Sequence, residues 1–288
     1  MRRPRLREGP TMTSGTDVWK GYLLAWDETY TLIQSPFTRD GSRVFGADSD
    51  HTTLAIAALQ HRLSYDRSVD CVSLAEGVNG SIFAMATGVA MADEDTYDAC
   101  KWDLLIGDDA TVVLVQRDTS IELPVLDTHV EVDLEFHTAI SKAWETELLA
   151  GHVSQGAYVS SAQYNEGGVA RMALSGQQFG ELLVWPPRQL SEDGSREDGR
   201  ISLKPLGNVA SWTKLSAAGA PSEFSLRAPL LGGLTTVFLD LEDGPKGVFL
   251  MVDDEENDVS IGETVELVVR RIYAQEGMIR YGLRGRLI

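Results

Sequence analysis

"IGETVELVVRRIYAQEGMIRYGLRGRLI", residues 261–288, decides how the end of this chain folds. It divides at Gly277 into two runs rich in β-branched and aromatic residues, "ETVELVVRRIY" and "GMIRYGLRGRLI". In the second, Ile279, Tyr281, Leu283 and Leu287 lie at even spacings and share one face of a strand. Arg280, Arg284 and Arg286 share the other. Three earlier runs have the same texture: "NVASWTKLS", "LTTVFLDLE" and "GVFLMVDD". Thr235, Val237, Leu239 and Leu241 alternate along the middle one. Turn signals at Gly219-Ala220-Pro221, Gly232-Gly233, Asp243-Gly244-Pro245, Gly262 and Gly277 separate the five. Five short strands in so little chain predict a small barrel.

The five-stranded candidate is the OB-fold. Upstream the pattern is mixed. "GYLLAWDETYTLI" (21–33) reads as a strand or hairpin, and "ADSDHTTLAIAALQHRLS" (47–64) as a helix that Ser49 or Asp50 can cap. "VDCVSLA" (69–75) reads as a buried strand and "GSIFAMATGVAMA" (80–92) as a closely packed helix. "DLLIGDDATVVLVQRD" (103–118) is two strands around a Gly-Asp-Asp turn. "VDLEFHTAISKAWETELLAGH" (132–152) repeats Phe136, Ile140, Trp144 and Leu148 every four residues, a second amphipathic helix that Gly151 would stop. From about residue 154 the chain turns polar and glycine-rich, and "SEDGSREDGR" reads as a flexible acidic loop. The fold class is α+β. The expected divisions are a disordered basic tail (1–17), an α/β domain (18–153), a linker segment (154–206) and the barrel (207–288).

Composition narrows the function. The 288 residues carry 43 acids against 25 bases, a formal net charge of -18. The bases are 19 Arg and 6 Lys, which fits either a salty cytoplasm or a GC-rich genome. Such a surface repels phosphate backbones and anionic membranes at long range. No run reaches the roughly 20 apolar residues that span a bilayer. The basic N-terminus lacks the apolar stretch of a secretory signal. Cys71 and Cys100 have no partner at metal spacing, so a reducing, cytoplasmic setting is expected and a zinc site is not. His51, His61, His129, His137 and His152 form no paired ligand spacing. The one concentration of chemistry is basic: Arg270, Arg271, Arg280, Arg284 and Arg286 on the last two strands of an acidic chain. Guanidinium groups pair with phosphate, so this stripe would hold a ligand phosphate, dock an acidic partner, or be a solvated outer face. The acidic run Asp253–Asp258 reads as a solvated loop.

With "IGETVELVVRRIYAQEGMIRYGLRGRLI", Pro186-Pro187-Arg188, and Gly207-Asn208-Val209 leading into Ser211-Trp212-Thr213 on the page, residues 180–288 resemble the zinc-ribbon/OB-fold accessory proteins of thiolases and hydroxymethylglutaryl-CoA synthases. The resemblance implies a subunit that contacts an acyl-CoA-processing enzyme and helps enclose its thioester substrate. It implies CoA or partner contact at Arg188, Trp212, Arg270, Arg280, Arg284 and Arg286. The family's ribbon holds zinc through paired cysteines. Here Ser191, Glu192, Asp193, Gly194 and Ser195 stand where the first pair belongs, and no cysteine follows Cys100. A metal-free ribbon remnant is expected. "RVFGADSDHTTLAIAALQHRL", "VDCVSLA" and "LLIGDDATVVLV" are similar to segments of ketoacyl-synthase and thiolase-like domains, with Asp109 in place of a glycine. The spacing is short and the small-residue helix starts at Asn79 and Ser81 without a cysteine. That implies a shortened, degenerate thiolase-like domain ahead of the barrel.

Three functions follow as expectations. The first is a non-catalytic accessory protein with no cofactor of its own and an acyl-CoA as its ligand. The second is an acyl-CoA condensing enzyme, whose imaginable set is Cys100 with His129 or His137. The third is a nucleic-acid-binding OB module, which needs a positive groove that the charge opposes.

Overall fold

Asp27 shapes the first hairpin. Its carboxylate accepts from the backbone N–H of Thr29 at 2.6 Å and of Tyr30 at 3.0 Å, closing the turn between two strands. In the computed structural model, which describes residues 17–149, 168, 171–187, 199–255, 258–275 and 277–288, those strands are β2 (Tyr22–Trp26) and β3 (Tyr30–Gln34). They follow a short edge strand, β1 (Asp17–Trp19). Asp17, expected in the tail, is therefore in a strand: Asp17 pairs with Leu24 across the β1–β2 turn. The rest of the expected tail lies outside the described residues.

The chain divides into two compact units, Met1–His137 and Thr138–Ile288. In the first, a small sheet holds β4 (Phe37–Arg39) and β5 (Ser42–Arg43). Helix α1 (His51–Tyr65) follows, capped by Asp50, whose side chain accepts from Thr53 N–H while Thr53 Oγ1 accepts from Asp50 N–H. Next come β6 (Cys71–Leu74), α2 (Gly80–Thr87) and β7 (Ala90–Met91). The predicted helix over 80–92 stops early. Gly88 takes a left-handed φ of 72°, and the chain then pairs as β7 with β6. The strand in "VDCVSLA" is only partly buried: Val72 is enclosed and Cys71 half-buried. β8 (Trp102–Ile106) and β9 (Thr111–Gln116) form the expected hairpin, and β10 (Val130–Glu131) joins β4. The main sheet runs β1-β2-β3-β9-β8-β6-β7. Its central strands bury both faces. Leu23, Ala25, Tyr30, Leu32, Val113 and Val115 cluster with Leu126 on one, and on the other Tyr22 donates its hydroxyl to Thr53 of α1.

Helix α3 (Leu134–Leu148) is the predicted amphipathic helix, with Ile140 and Trp144 buried. Gly151 lies outside the described residues. The segment read as linker and zinc-free ribbon remnant contains three strands: β11 (Ser175–Phe179), β12 (Leu182–Val184) and β13 (Gly199–Ser202) pair as an antiparallel sheet in the order β12-β11-β13. Short polar strands such as "SGQQF" carry no apolar alternation, so sequence pattern passes over them.

The five C-terminal runs are five strands: β14 (Leu206–Leu215), β15 (Leu234–Leu241), β16 (Lys246–Met251), β17 (Thr264–Gln275) and β18 (Met278–Leu287). They close as an OB-like barrel, β14-β15-β16-β18-β17, with β17 back against β14. Val237, Leu239 and Leu241 fill its interior with Phe249, Met251, Val265 and Leu267. β16 and β18 run parallel and pair at only two positions, Leu250 with Arg284 and Met251 with Gly285.

Candidate functional site

The arginine stripe is where the sequence placed the chemistry, and the structure splits it. Arg284 points outward from β18, yet it is 1% exposed. Its guanidinium donates to the carbonyls of Met251 (2.9 Å), Arg271 (3.0 Å) and Ile272 (3.3 Å), and sits 2.8 Å from Asp253 Oδ1. Arg270 is 2% exposed, with Asp254 at 3.8 Å. Arg286 is held by Glu255 at 2.7 Å, with Glu266 at 4.0 Å. The face is neither solvated nor open here, and the acidic run is not a free loop over Asp253–Glu255. Its carboxylates are the counter-ions of the stripe.

Behind them lies a charged cluster that no sequence pattern announced. Arg227, in a single helical turn (Arg227–Leu230), is 0% exposed. Its Nε is 2.6 Å from Glu147 of α3, its terminal nitrogen is 3.7 Å from Asp253, and its plane lies 3.7 Å from the Trp144 ring. Burial pushes the Glu147 carboxyl above the usual range, and Arg227 beside it works in the opposite sense. Arg271 stacks over the same indole at 4.3 Å. The outward face of the barrel is thus roofed by α3 and the Arg227 turn, which explains why an outward arginine is buried.

Arg280 has a different setting. It lines a cleft of about 610 Å³ together with Arg171 and an aromatic wall of Trp185, Phe249, Tyr273 and Tyr281. Trp185 stacks on Phe249, centroids 5.4 Å apart and planes at 26°. Gly247 permits this: a Cβ there would come within 2.6 Å of Phe249 and 2.7 Å of Trp185. The cleft opens where β16 and β18 have parted, N-terminal to their two paired positions. Trp212, on β14 opposite Val237, is 47% exposed and does not line it. Arg188 and the acidic loop as far as residue 198 lie outside the described residues, and Gly199 and Arg200 begin β13.

The other reactive groups sit in the first unit. Burial, then the neighbouring Cys100, pushes the Cys71 thiol up to about 12. Cys100 is buried and donates to the Trp102 carbonyl at 3.6 Å. His129 Nδ1 lies 2.8 Å from the Asp127 carbonyl, and burial, then Arg39, lowers His137. Among the described residues, no group of three or more His, Cys, Asp or Glu side chains could hold a metal ion, and no helix is long and apolar enough to cross a membrane.

No family model matches the chain, and no curated protein matches it. Among solved structures it is similar to one titled "Ltp2-ChsH2(DUF35) aldolase", with 18% identity and a TM-score of 0.32, over 46% of this chain and 98% of that one.

Of the five singled-out residues that are described, Arg280 lines the cleft. The cleft itself was missed because its wall is assembled from positions 171, 185, 249, 273 and 281. Two signals pointed there: an aromatic residue directly before Pro186-Pro187, and a glycine at 247 inside a strand, which marks a close approach.

Proposed function

We propose that this chain is a non-catalytic accessory protein that associates with a thiolase or hydroxymethylglutaryl-CoA synthase-type enzyme of acyl-CoA metabolism, in the cytoplasm. On this reading the first unit is a shortened, degenerate thiolase-like domain, and the barrel supplies the contact with enzyme or acyl-CoA. The observation that carries the proposal is the closed five-stranded barrel, entered through Trp185-Pro186-Pro187 and a three-stranded antiparallel sheet, at the positions where the resembling residues lie. The chemistry within the chain agrees with a supporting role. A cysteine nucleophile acts as the thiolate, and the environment of Cys71 opposes that form. Arg270, Arg284 and Arg286 face carboxylates of the same chain, so among the described residues of the six the contact falls to Arg280 and Trp212. Affinity purification of the tagged full chain from its native host, with identification of the co-purifying proteins, is the test. A thiolase-type or synthase-type enzyme at near-stoichiometric yield is expected. A chain that purifies alone and by itself turns over labelled acetyl-CoA would overturn the reading.

A further inference from the structure

We propose that the seam between β16 and β18 is a latch: Leu250–Val252 and the acidic strap Asp253–Glu255 part from β18 as one unit while the other ladders of the barrel stay paired. Three observations carry this. The first is the backbone. The β14–β15 ladder runs from Gly207 with Leu241 to Leu215 with Leu234, and the β17–β18 ladder from Val265 with Leu287 to Gln275 with Met278. The seam has its parallel pairs at Leu250 and Met251 and one further bond, Val252 N–H to the Gly285 carbonyl at 2.9 Å. The β14–β17 ladder is also short, but it is prolonged by Leu267 N–H to Pro205 (2.7 Å), Val209 N–H to Glu263 (2.9 Å) and Gly262 N–H to Val209 (2.8 Å). The second is packing. Gly285 brings no side chain to the seam, where a Cβ would lie 2.8 Å from Val265 and 2.9 Å from Met251. The third is charge. Arg284 donates to the Met251 carbonyl at 2.9 Å and lies 2.8 Å from Asp253, and Arg286 lies 2.7 Å from Glu255, all across the seam. Arg270 of β17 faces Asp254 at 3.8 Å. Side chains therefore bolt a join that backbone bonds secure elsewhere in the barrel. At its other end the seam borders the cleft, so no further β16–β18 pair has to break. Opening takes Asp253 from its place 3.7 Å from Arg227, but Arg227 keeps Glu147. The opened barrel exposes strand edges that closure conceals.

The latch belongs to the barrel alone, so a failed partner search leaves it standing. Native-state hydrogen exchange on the full chain, followed amide by amide by NMR, tests it. In the wild type the Val252 amide should be about tenfold less protected than those of Val237 and Leu239, in the strand paired on both sides. Asp254→Asn and Glu255→Gln preserve side-chain shape, and the carboxylates they replace are 7% and 16% exposed. Each should lower protection at Val252 by about threefold while Val237 and Leu239 stay unchanged. Equal protection at Val252 and Val237 in the wild type would overturn the latch. Variants that lower all three amides alike would also overturn it, since the strap would then open only with the whole fold. So would variants that leave Val252 unchanged, since the ion pairs would then not hold the seam.

Discussion

Arg62 in the first unit and Arg227 in the second are both enclosed, 1% and 0% exposed, and they are accommodated in different ways. Arg62 meets neutral oxygens. It donates to the carbonyls of Asp27 (2.9 Å), Glu28 (3.1 Å) and Tyr30 (2.7 Å), and lies over the Trp102 ring at 4.5 Å. It therefore clamps the turn that Asp27 shapes. Arg227 meets carboxylates, Glu147 and Asp253, with Trp144 and Phe224 as its flanking rings. The first arrangement fixes a backbone. The second binds α3 and the loop after β16 to the outside of the barrel. A buried ion pair gains less than its Coulomb energy because both charges are desolvated, but removing one partner strands the other.

That contrast sets the largest expected effect. Arg227→Met should cost about 3–5 kcal/mol in urea denaturation, because Glu147 loses its counter-charge inside the protein and Asp253 is left with Arg284. The loss should shrink in acid. A carboxyl whose folded pKa lies above its unfolded value destabilises the fold above the unfolded pKa, and the penalty fades as pH falls through the folded one. Burial already shifts Glu147 in that direction, and the variant removes the arginine that opposes it. Adding Glu147→Leu should recover part of the loss. A variant as stable as the wild type would remove the cluster from any structural account.

Arg62→Met should cost about 2–3 kcal/mol, from three carbonyls left without their donor. Those carbonyls do not titrate, so the loss should shrink less in acid than that of Arg227→Met, its pH dependence coming only through neighbours that Arg62 influences, His61, Asp27 and Asp66. If the two variants showed the same pH profile, the distinction between the two arginines would fail.

The neighbour of Arg62 provides a smaller effect in the opposite pH sense. His61 is boxed by Trp19, Trp26 and Tyr65, with centroids at 5.2, 5.4 and 5.4 Å. Burial, then Arg62, lowers its pKa from 6.5 to about 4, against a weak opposing pull from Asp17. The unfolded chain therefore takes up a proton that the folded chain refuses. Stability from this group is complete above about pH 6.5 and falls as pH drops toward 4, by on the order of 2–3 kcal/mol. His61→Phe should flatten that part of the profile, measured as the urea midpoint between pH 7 and 4.

How much of this was legible follows from separation along the chain. Strand faces such as Val237, Leu239 and Leu241 repeat within one run, so alternation reveals them, and Asp50 capping α1 is decided within four residues. The outward orientation of Arg284 was also readable. What lies outside was not: Trp144 and Glu147 come from a helix over a hundred residues earlier, and only the fold brings Arg227 beside them. All three readings of the stripe took the outer face of the barrel to be accessible, and the fold covers it at Arg270 and Arg284. The same reason hid the cleft, whose aromatic wall no local period connects.

The smallest prediction tests the boundary between the roofed and the open parts of that face. Arg286 stands two residues from Arg284 on the same side of β18, but it and its partner Glu255 are each 16% exposed. Arg286→Gln should cost about 1 kcal/mol or less in dilute buffer. Salt should separate it from Arg227→Met. At about 1 M ionic strength the screening length is near 3 Å, so the Arg286 difference should fall toward zero while the Arg227 difference persists. The wild type itself should gain stability over the same range, because screening relieves the self-repulsion of a net charge of -18. A salt-insensitive Arg286→Gln would place this pair with the enclosed cluster and move the edge of the roof outward by one turn of the strand's pleat.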